Sequence, residues 1–349
     1  MVTQLVAGRV YDYNRTVGRG AISGMGFNSV TDLALGEEDR VYVLNRGWEF
    51  VTNVPWNRTA RGTRVSVITI GDVPGDEEFV LEFSKYGDGN GELIWPAGIA
   101  VDSQEHVFIT DEWLNRVSVF DREGNFLNQW GATGTGDGQF NGPSGITLDS
   151  EENVYIVDSR NHRVQKFAKD GKFLSKWGGF GSNDGEMDSP WGITLDQEGY
   201  AYIADHKNHR AQKFTVEGEF VCKFGSYGTA RGDLNRPSDV AVDPEGDVYV
   251  CDWANNRVQL FARDGRFITS FMGDAQELSK WAKMVVEVSP QSLKRRREAR
   301  SLEPEWRLAL PRAVTFDSQR SRLIISDTQR NRLQIYDKIK DYTEPQRNI

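Results

Sequence analysis

Apolar and polar residues alternate along this chain in short runs, each broken within a few residues by Gly, Asp, Asn or Pro. The stretch from 143 to 177 shows the pattern at full length. Gly145-Ile-Thr-Leu148 is followed by Val154-Tyr-Ile-Val157, Arg163-Val-Gln-Lys-Phe167 and Lys172-Phe-Leu-Ser-Lys-Trp177. β-Branched and aromatic residues fill these runs, so each reads as a strand rather than a helix. Asp-Gly turns such as Asp170-Gly171 and Asp264-Gly265 join neighbours as hairpins. No helical period separates successive strands, which excludes a βαβ architecture.

The pattern repeats. Pro143-Ser-Gly-Ile-Thr-Leu-Asp149 returns at Pro190 and Pro237, and precedes itself at Pro96, with a constant spacing of 47 residues. A further copy begins at Pro311 and a degenerate one at Val30. In the five clear copies an Asp closes the second strand and an Arg follows five residues later: Asp111/Arg116, Asp158/Arg163, Asp205/Arg210, Asp252/Arg257 and Asp327/Arg332. Four-stranded units repeated at this length predict propeller blades around a central channel. The last unit stops after its third strand, and Gly8-Arg-Val-Tyr-Asp-Tyr-Asn14 has the character of the missing fourth. The expected fold is therefore all-β, a single six-bladed β-propeller over 1–349, closed by an N-terminal strand within 1–18.

Two insertions interrupt the repeat. One, from Gly47 to Thr63, lies between the second and third strands of blade 1. The other, 274–310, separates blades 5 and 6, is helical in period, and places Asp274 at the expected N-cap. Both emerge on the face that carries the Asp-x-x-x-x-Arg loops. Residues 294–300 hold five cations and one carboxylate, net +4, against −9 for the whole chain (42 Lys and Arg, 51 Asp and Glu). An acidic chain with one local basic run argues against nucleic acid as a partner; the run reads first as a solvated helix face, with contact to a protein partner at 274–310 as the functional alternative. No apolar stretch is long enough to span a membrane. The start shows no signal-peptide pattern and the two cysteines give no disulfide framework, so the expected location is cytoplasmic.

Asn161-His162-Arg163 and Asn208-His209-Arg210, each after a Val-Tyr-Ile-Val-Asp-like strand, resemble the NHL-repeat family. Within it, Val41-Tyr-Val-Leu-Asn45-Arg46-Gly47 is similar to the first-blade strand of the peptidyl-α-hydroxyglycine amidating lyases, a resemblance that makes Arg46 the counterpart of a catalytic arginine. Those lyases hold zinc with three histidines; the matching positions here are Ala97, Trp191 and Arg312, so zinc is not expected. Their catalytic tyrosine corresponds to Arg160, and their calcium-ligand aspartate to Ala313.

From the residues themselves, the chemistry belongs where the repeat breaks. His206 follows the motif Asp where sister blades carry Arg46, Glu112, Ser159, Trp253 and Thr328, and it is the candidate general acid or base at the mouth. His162 and His209 stand where other blades place Asn, and read as loop hydrogen-bonders. Asp32 and Asp239 share one repeat position; they could hold a cation such as calcium or magnesium, share a proton, or bond channel water. No cofactor is certain. Arg160 and Arg312 with Arg46 could clamp an anion, and Trp48, Trp56, Trp95, Trp113, Trp191 and Trp253 would line an aromatic mouth. Two functions are expected from this. One is a top-face funnel for a small anionic or aromatic molecule, with lyase or hydrolase chemistry from Arg46, His206 and Asp32; the other is a non-catalytic interaction scaffold.

Overall fold

The structure, a computed structural model, describes residues 3–51 and 58–340. Six antiparallel sheets are arranged in sequence order, each running from an inner strand outward. Blade 3 is representative, with Pro143–Leu148 innermost, then Val154–Asp158, Arg163–Phe167 and Phe173–Trp177. Aromatic residues from outer strands fill the wedges between blades. Trp130 of blade 2 lies 4.9 Å from Phe167 of blade 3, and Trp177 of blade 3 lies 4.8 Å from Phe214 of blade 4. Their burial supplies the apolar area that holds neighbouring sheets together.

The ring closes as the sequence requires. Arg9–Val17 pairs antiparallel with Arg332–Ile339, from Val10 opposite Ile339 to Val17 opposite Leu333. A fifth strand, Thr3–Val6, extends this sheet further and was not foreseen; its four residues are too short to show a period of two convincingly. Polar groups reinforce the closure. Lys338 Nζ sits between Asp243, Asp247 and Glu245 at 2.5, 3.0 and 3.1 Å, while Arg9 Nη2 meets Asp247 at 2.6 Å. Beside them Tyr249 donates to Asp243 at 2.7 Å, and the Tyr11 and Tyr249 hydroxyls lie 2.8 Å apart. Residues from both ends of the ring thus lock onto the turn of blade 5.

The insertion between blades 5 and 6 forms helices α1 (Lys280–Val286), α2 (Pro290–Glu298) and α3 (Glu303–Trp306). Asp274 is not the N-cap. Its N–H donates to Gln334 Oε1 at 3.0 Å and its carboxylate accepts from Tyr336, so blade 6 has already taken it. Ser279 caps α1 instead, accepting from Ala282 N at 3.1 Å and donating to Gly18 O at 2.5 Å. The insertion is anchored at the seam of blades 6 and 1. Trp281 is buried against Phe27, and Lys280 donates to the carbonyls of Gly75 and Glu77. In blade 1 the other insertion is a hairpin of Trp48–Val51 and Arg58–Arg61, and Trp56 lies outside the described residues. Among the described residues, no helix is long and apolar enough to cross a membrane.

Deleting residues 1–18 removes buried Val10, Tyr11 and Val17 and leaves Asp247 without Arg9. The truncated chain should lose more than about 5 kcal/mol of stability and show a much lower melting temperature. An unchanged melting temperature would show that the ring closes without this strand.

Candidate functional site

One face of the disc is built from a loop that occurs five times. After the second strand of blades 2 to 6, a single tight turn ends in a residue of left-handed backbone: Asn115, His162, His209, Asn256 and Asn331, with φ between 51° and 56°. In blades 3 to 6 the preceding Asp is fully buried and is held by the Arg five residues on, at 2.8, 2.9, 2.7 and 2.7 Å. It also accepts a backbone N–H from the chain leading into its own blade, as Asp158 does from Asn141 at 2.7 Å. Blade 2 differs: Asp111 accepts from Trp113 and Leu114, and Arg116 turns to the carbonyls of Asp88, Gly89 and Glu92.

The left-handed residue then reaches the next blade. Asn115 Oδ1 accepts from Gly142 N, His162 Nδ1 from Ser189 N, His209 Nδ1 from Arg236 N, Asn256 Oδ1 from Leu310 N and Asn331 Oδ1 from Ser29 N, at 2.6–3.1 Å. Both histidines are therefore structural acceptors, unprotonated at Nδ1.

These staples fix where each inner strand begins, and so the rings that line the axis. The first ring is Thr31, Ala97, Ser144, Trp191, Ser238 and Arg312, the second Asp32, Gly98, Gly145, Gly192, Asp239 and Ala313. Two residues further on, the period of a strand brings Ala34, Ala100, Thr147, Thr194, Ala241 and Thr315 to the same side. Because nothing larger than Thr stands in this third ring, a channel of about 360 Å³ remains. It opens among the turns that carry Asp196, Gln197, Pro244 and Ser318, on the face opposite the stapled loops.

At its other end the channel is capped. A void of only about 20 Å³ lies between the first two rings, where Trp191 and Arg312 fill the axis. Trp191 stacks on His206 with centroids 3.7 Å apart, the Arg312 guanidinium lies 5.1 Å from the Trp191 ring, and Trp253 is 6.2 Å away. His206 is thus not a mouth residue. It is buried, its Nδ1 lies 3.1 Å from Pro237 O, and burial, with Arg236 and Arg312 nearby, pushes its pKa down to about 4. A neutral imidazole packed as a flat ring has replaced the expected proton carrier.

Asp32 and Asp239 close the blind end of the channel. Asp32 accepts from Ile99 N and Leu33 N, both at 2.8 Å, and Asp239 accepts from Val314 N at 2.9 Å. Each carboxylate therefore bridges its own blade to the next. Gly192 leaves room for this, since a Cβ there would come 2.3 Å from Asp239 Oδ1. Burial holds both groups above the usual carboxylate range, and at Asp239 the charge of Asp32 adds to it. Arg312, within the cap, opposes the effect. Among the described residues, no group of three or more His, Cys, Asp or Glu is placed to hold a metal ion. With Ala97, Trp191 and Arg312 at the histidine positions, the residues do not fit a catalytic zinc.

The other residues singled out from the sequence are dispersed. Arg46 pairs with Glu112 at 3.3 Å and lies 4.6 Å from the Trp95 ring, which in turn meets Trp113 at 4.9 Å. A ligand anion at Arg46 would have to displace Glu112. Arg160 is exposed, packs over Gly142, and lines neither the channel nor the void behind it. Trp48 is exposed on the blade 1 hairpin. The third ring escaped notice in the sequence although its signal, two residues past the Asp and Gly ring, was present; small residues announce space rather than chemistry.

A family model described as 6-bladed beta-propeller matches residues 98–209, and one for the NHL repeat matches residues 234–261. The chain is a six-bladed β-propeller, and its blade 5 matches the NHL repeat. The propeller is 46% identical over 50 residues to protein lin-41 of Caenorhabditis elegans, a match covering 14% of this chain and only 4% of that protein's length. Its fold is similar to a catalytically inactive virginiamycin B lyase from Staphylococcus aureus with quinupristin (TM-score 0.55, 13% identity, 94% of this chain and 100% of that one). It is also similar to an auxiliary nutrient binding protein from Bacteroides thetaiotaomicron (TM-score 0.61, 13% identity, 97% and 78%). At such identities the likeness concerns the fold alone.

The staples make a pH prediction for this propeller. Burial holds the His209 pKa below its ordinary value of about 6.5, so the unfolded chain takes up a proton that the native state refuses. His209→Asn keeps an acceptor that cannot protonate. The variant should gain stability relative to the parent as pH falls from 7.5 to 5.5, read from urea midpoints. A difference independent of pH would exclude an unprotonated Nδ1 at this junction.

Proposed function

We propose that this propeller binds a small organic cation, of the ammonium type, in its central channel. The observation that carries the reading is the pair Asp32 and Asp239 at the blind end of a 360 Å³ channel. Arg312 offsets one of the two buried carboxylates; the second negative charge needs a proton or a cationic ligand. Between that pair and the opening, Thr147, Thr194 and Thr315 add hydroxyl acceptors, and Asp196, Gln197, Asp243 and Ser318 make the outer lining polar as well. An ammonium group donates three hydrogen bonds, which this set can meet. Calcium takes six to eight oxygen ligands, a larger demand on two carboxylates.

This reading moves the ligand from the stapled face to the face of the turns, and from an anion to a cation. No lyase or hydrolase step is assigned. Arg46 is paired with Glu112, His206 lies beneath Trp191, and Asp32 faces the channel, so the three do not meet around one reacting atom. A second reading, docking of a protein partner, is favoured by the insertion, where Met284, Val285 and Val288 are exposed beside the basic run 294–300.

Calorimetric titration with methylammonium, calcium and magnesium tests the first reading. Methylammonium should bind, more tightly at pH 8 than at pH 6 because it displaces the retained proton, and Asp32→Asn/Asp239→Asn should abolish the binding. Absence of binding at pH 8, or binding unaffected by the double substitution, would overturn it. Saturation by calcium alone would assign the channel to a metal instead.

A further inference from the structure

A second cavity lies away from the channel, on the stapled face where blades 6 and 1 meet. It is an open cleft of about 410 Å³, walled by Ile22, Phe27, Trp48, Phe50 and Arg61, with Asn28 among its lining residues. The blade 1 hairpin explains its shape. Trp48 and Phe50 fall on one side of their strand, while Glu49, on the other, accepts from the Trp95 indole. That ion-facing side holds the hairpin to blade 2 and leaves two aromatic rings turned to the cleft. Trp48 is 62% exposed, Phe50 48% and Ile22 56%, whereas Phe27 is fully buried and forms the floor.

Two polar features distinguish the cleft from a bare apolar groove. Asn28 is 5% exposed, and its side-chain Nδ2 donates to Arg61 O at 3.4 Å, but its buried Oδ1 has no partner among the described residues. The Asn28 backbone N–H is satisfied separately by Asn45 Oδ1 at 2.7 Å. A buried acceptor left unpaired is costly, and a native fold retains few of them. Arg61 adds a cation. Its guanidinium lies 5.7 Å from the Phe50 ring and has no carboxylate partner among the described residues. Arg46, by contrast, is already neutralised by Glu112.

We infer that this cleft binds a small planar aromatic molecule that carries both an N–H or O–H donor and an anionic group. The ring lies against Trp48, Phe50, Ile22 and Phe27, the donor serves Asn28 Oδ1, and the anion pairs with Arg61. The volume suits a one- or two-ring compound. This assignment is independent of the channel: it uses none of the channel residues and stands or falls without the ammonium site.

Indole-3-acetate is the direct probe, titrated into the full-length protein by calorimetry and by change in tryptophan fluorescence. Saturable binding is expected. The N-methylated indole-3-acetate, which lacks the donor, should bind at least tenfold more weakly, and tryptamine, which reverses the charge, at least fivefold more weakly. Trp48→Ala and Arg61→Gln, both at exposed positions, should each weaken indole-3-acetate at least fivefold with an unchanged melting temperature. No saturable binding up to millimolar concentrations, or binding indifferent to both substitutions, would overturn the proposal. Equal affinity for the N-methylated compound would overturn the role given to Asn28. Binding of tryptophan-containing peptides with none of the free compound would assign the cleft to a protein partner and overturn the small-molecule site.

Discussion

Five backbone N–H groups, each at the entry to a blade, are held by the left-handed Asn or His of the blade before. The rest of the molecule depends on this inter-blade bond. It works because the acceptor sits on a turn that cannot shift: the turn is tied to a buried Asp, and in blades 3 to 6 the Asp to an Arg on the neighbouring strand, while in blade 2 Asp111 holds the turn through the N–H groups of Trp113 and Leu114. A chain of charge-assisted bonds of this kind is stronger than neutral bonds and directional. It therefore sets the angle between blades before the aromatic wedges fill the space behind it. With the angle fixed, the inner strands start at one level, and their side chains form rings around the axis.

The rings explain why the chemistry is asymmetric. Where the repeat keeps Gly in the second ring, the strand only lines the channel. In blades 1 and 5 a carboxylate takes that place and captures the N–H of the next inner strand. Those two blades flank blade 6, which contributes Arg312. One cation thus stands between two buried anions, and the imbalance lies where a small ligand could reach it. The capping stack of Arg312, Trp191 and His206 keeps water from the opposite face away from the pair, which maintains its desolvation.

Much of this architecture was legible in the sequence. The spacing of 47 residues gave the blade, Asp with Arg at +5 gave the loop, and the incomplete last unit gave the closing strand. The resemblance to NHL repeats rested on His162 and His209, which prove to be staples. The candidate site was less legible, for a physical reason. Whether His206 faces solvent depends on the rotamer of Trp191, a residue from another strand, and no local pattern encodes that stacking. The same holds for Arg46, whose charge is taken up by Glu112 of the next blade. Asp274 looked like a helix cap because the cap signal is local, whereas its claim by Gln334 and Tyr336 is tertiary.

The central claim is that Asp32 and Asp239 cannot both be ionised at neutral pH without a cationic partner. Carbon-13 NMR of protein labelled at the aspartate carboxyl carbons, titrated from pH 3 to 9 without added ligand, tests it most directly. The Asp32 and Asp239 signals, assigned by substitution, should titrate well above the usual carboxylate range, and Asp239→Asn should lower the midpoint of Asp32. If every aspartate signal has finished titrating below pH 5, the pair is ionised in the free protein and the account of the channel fails.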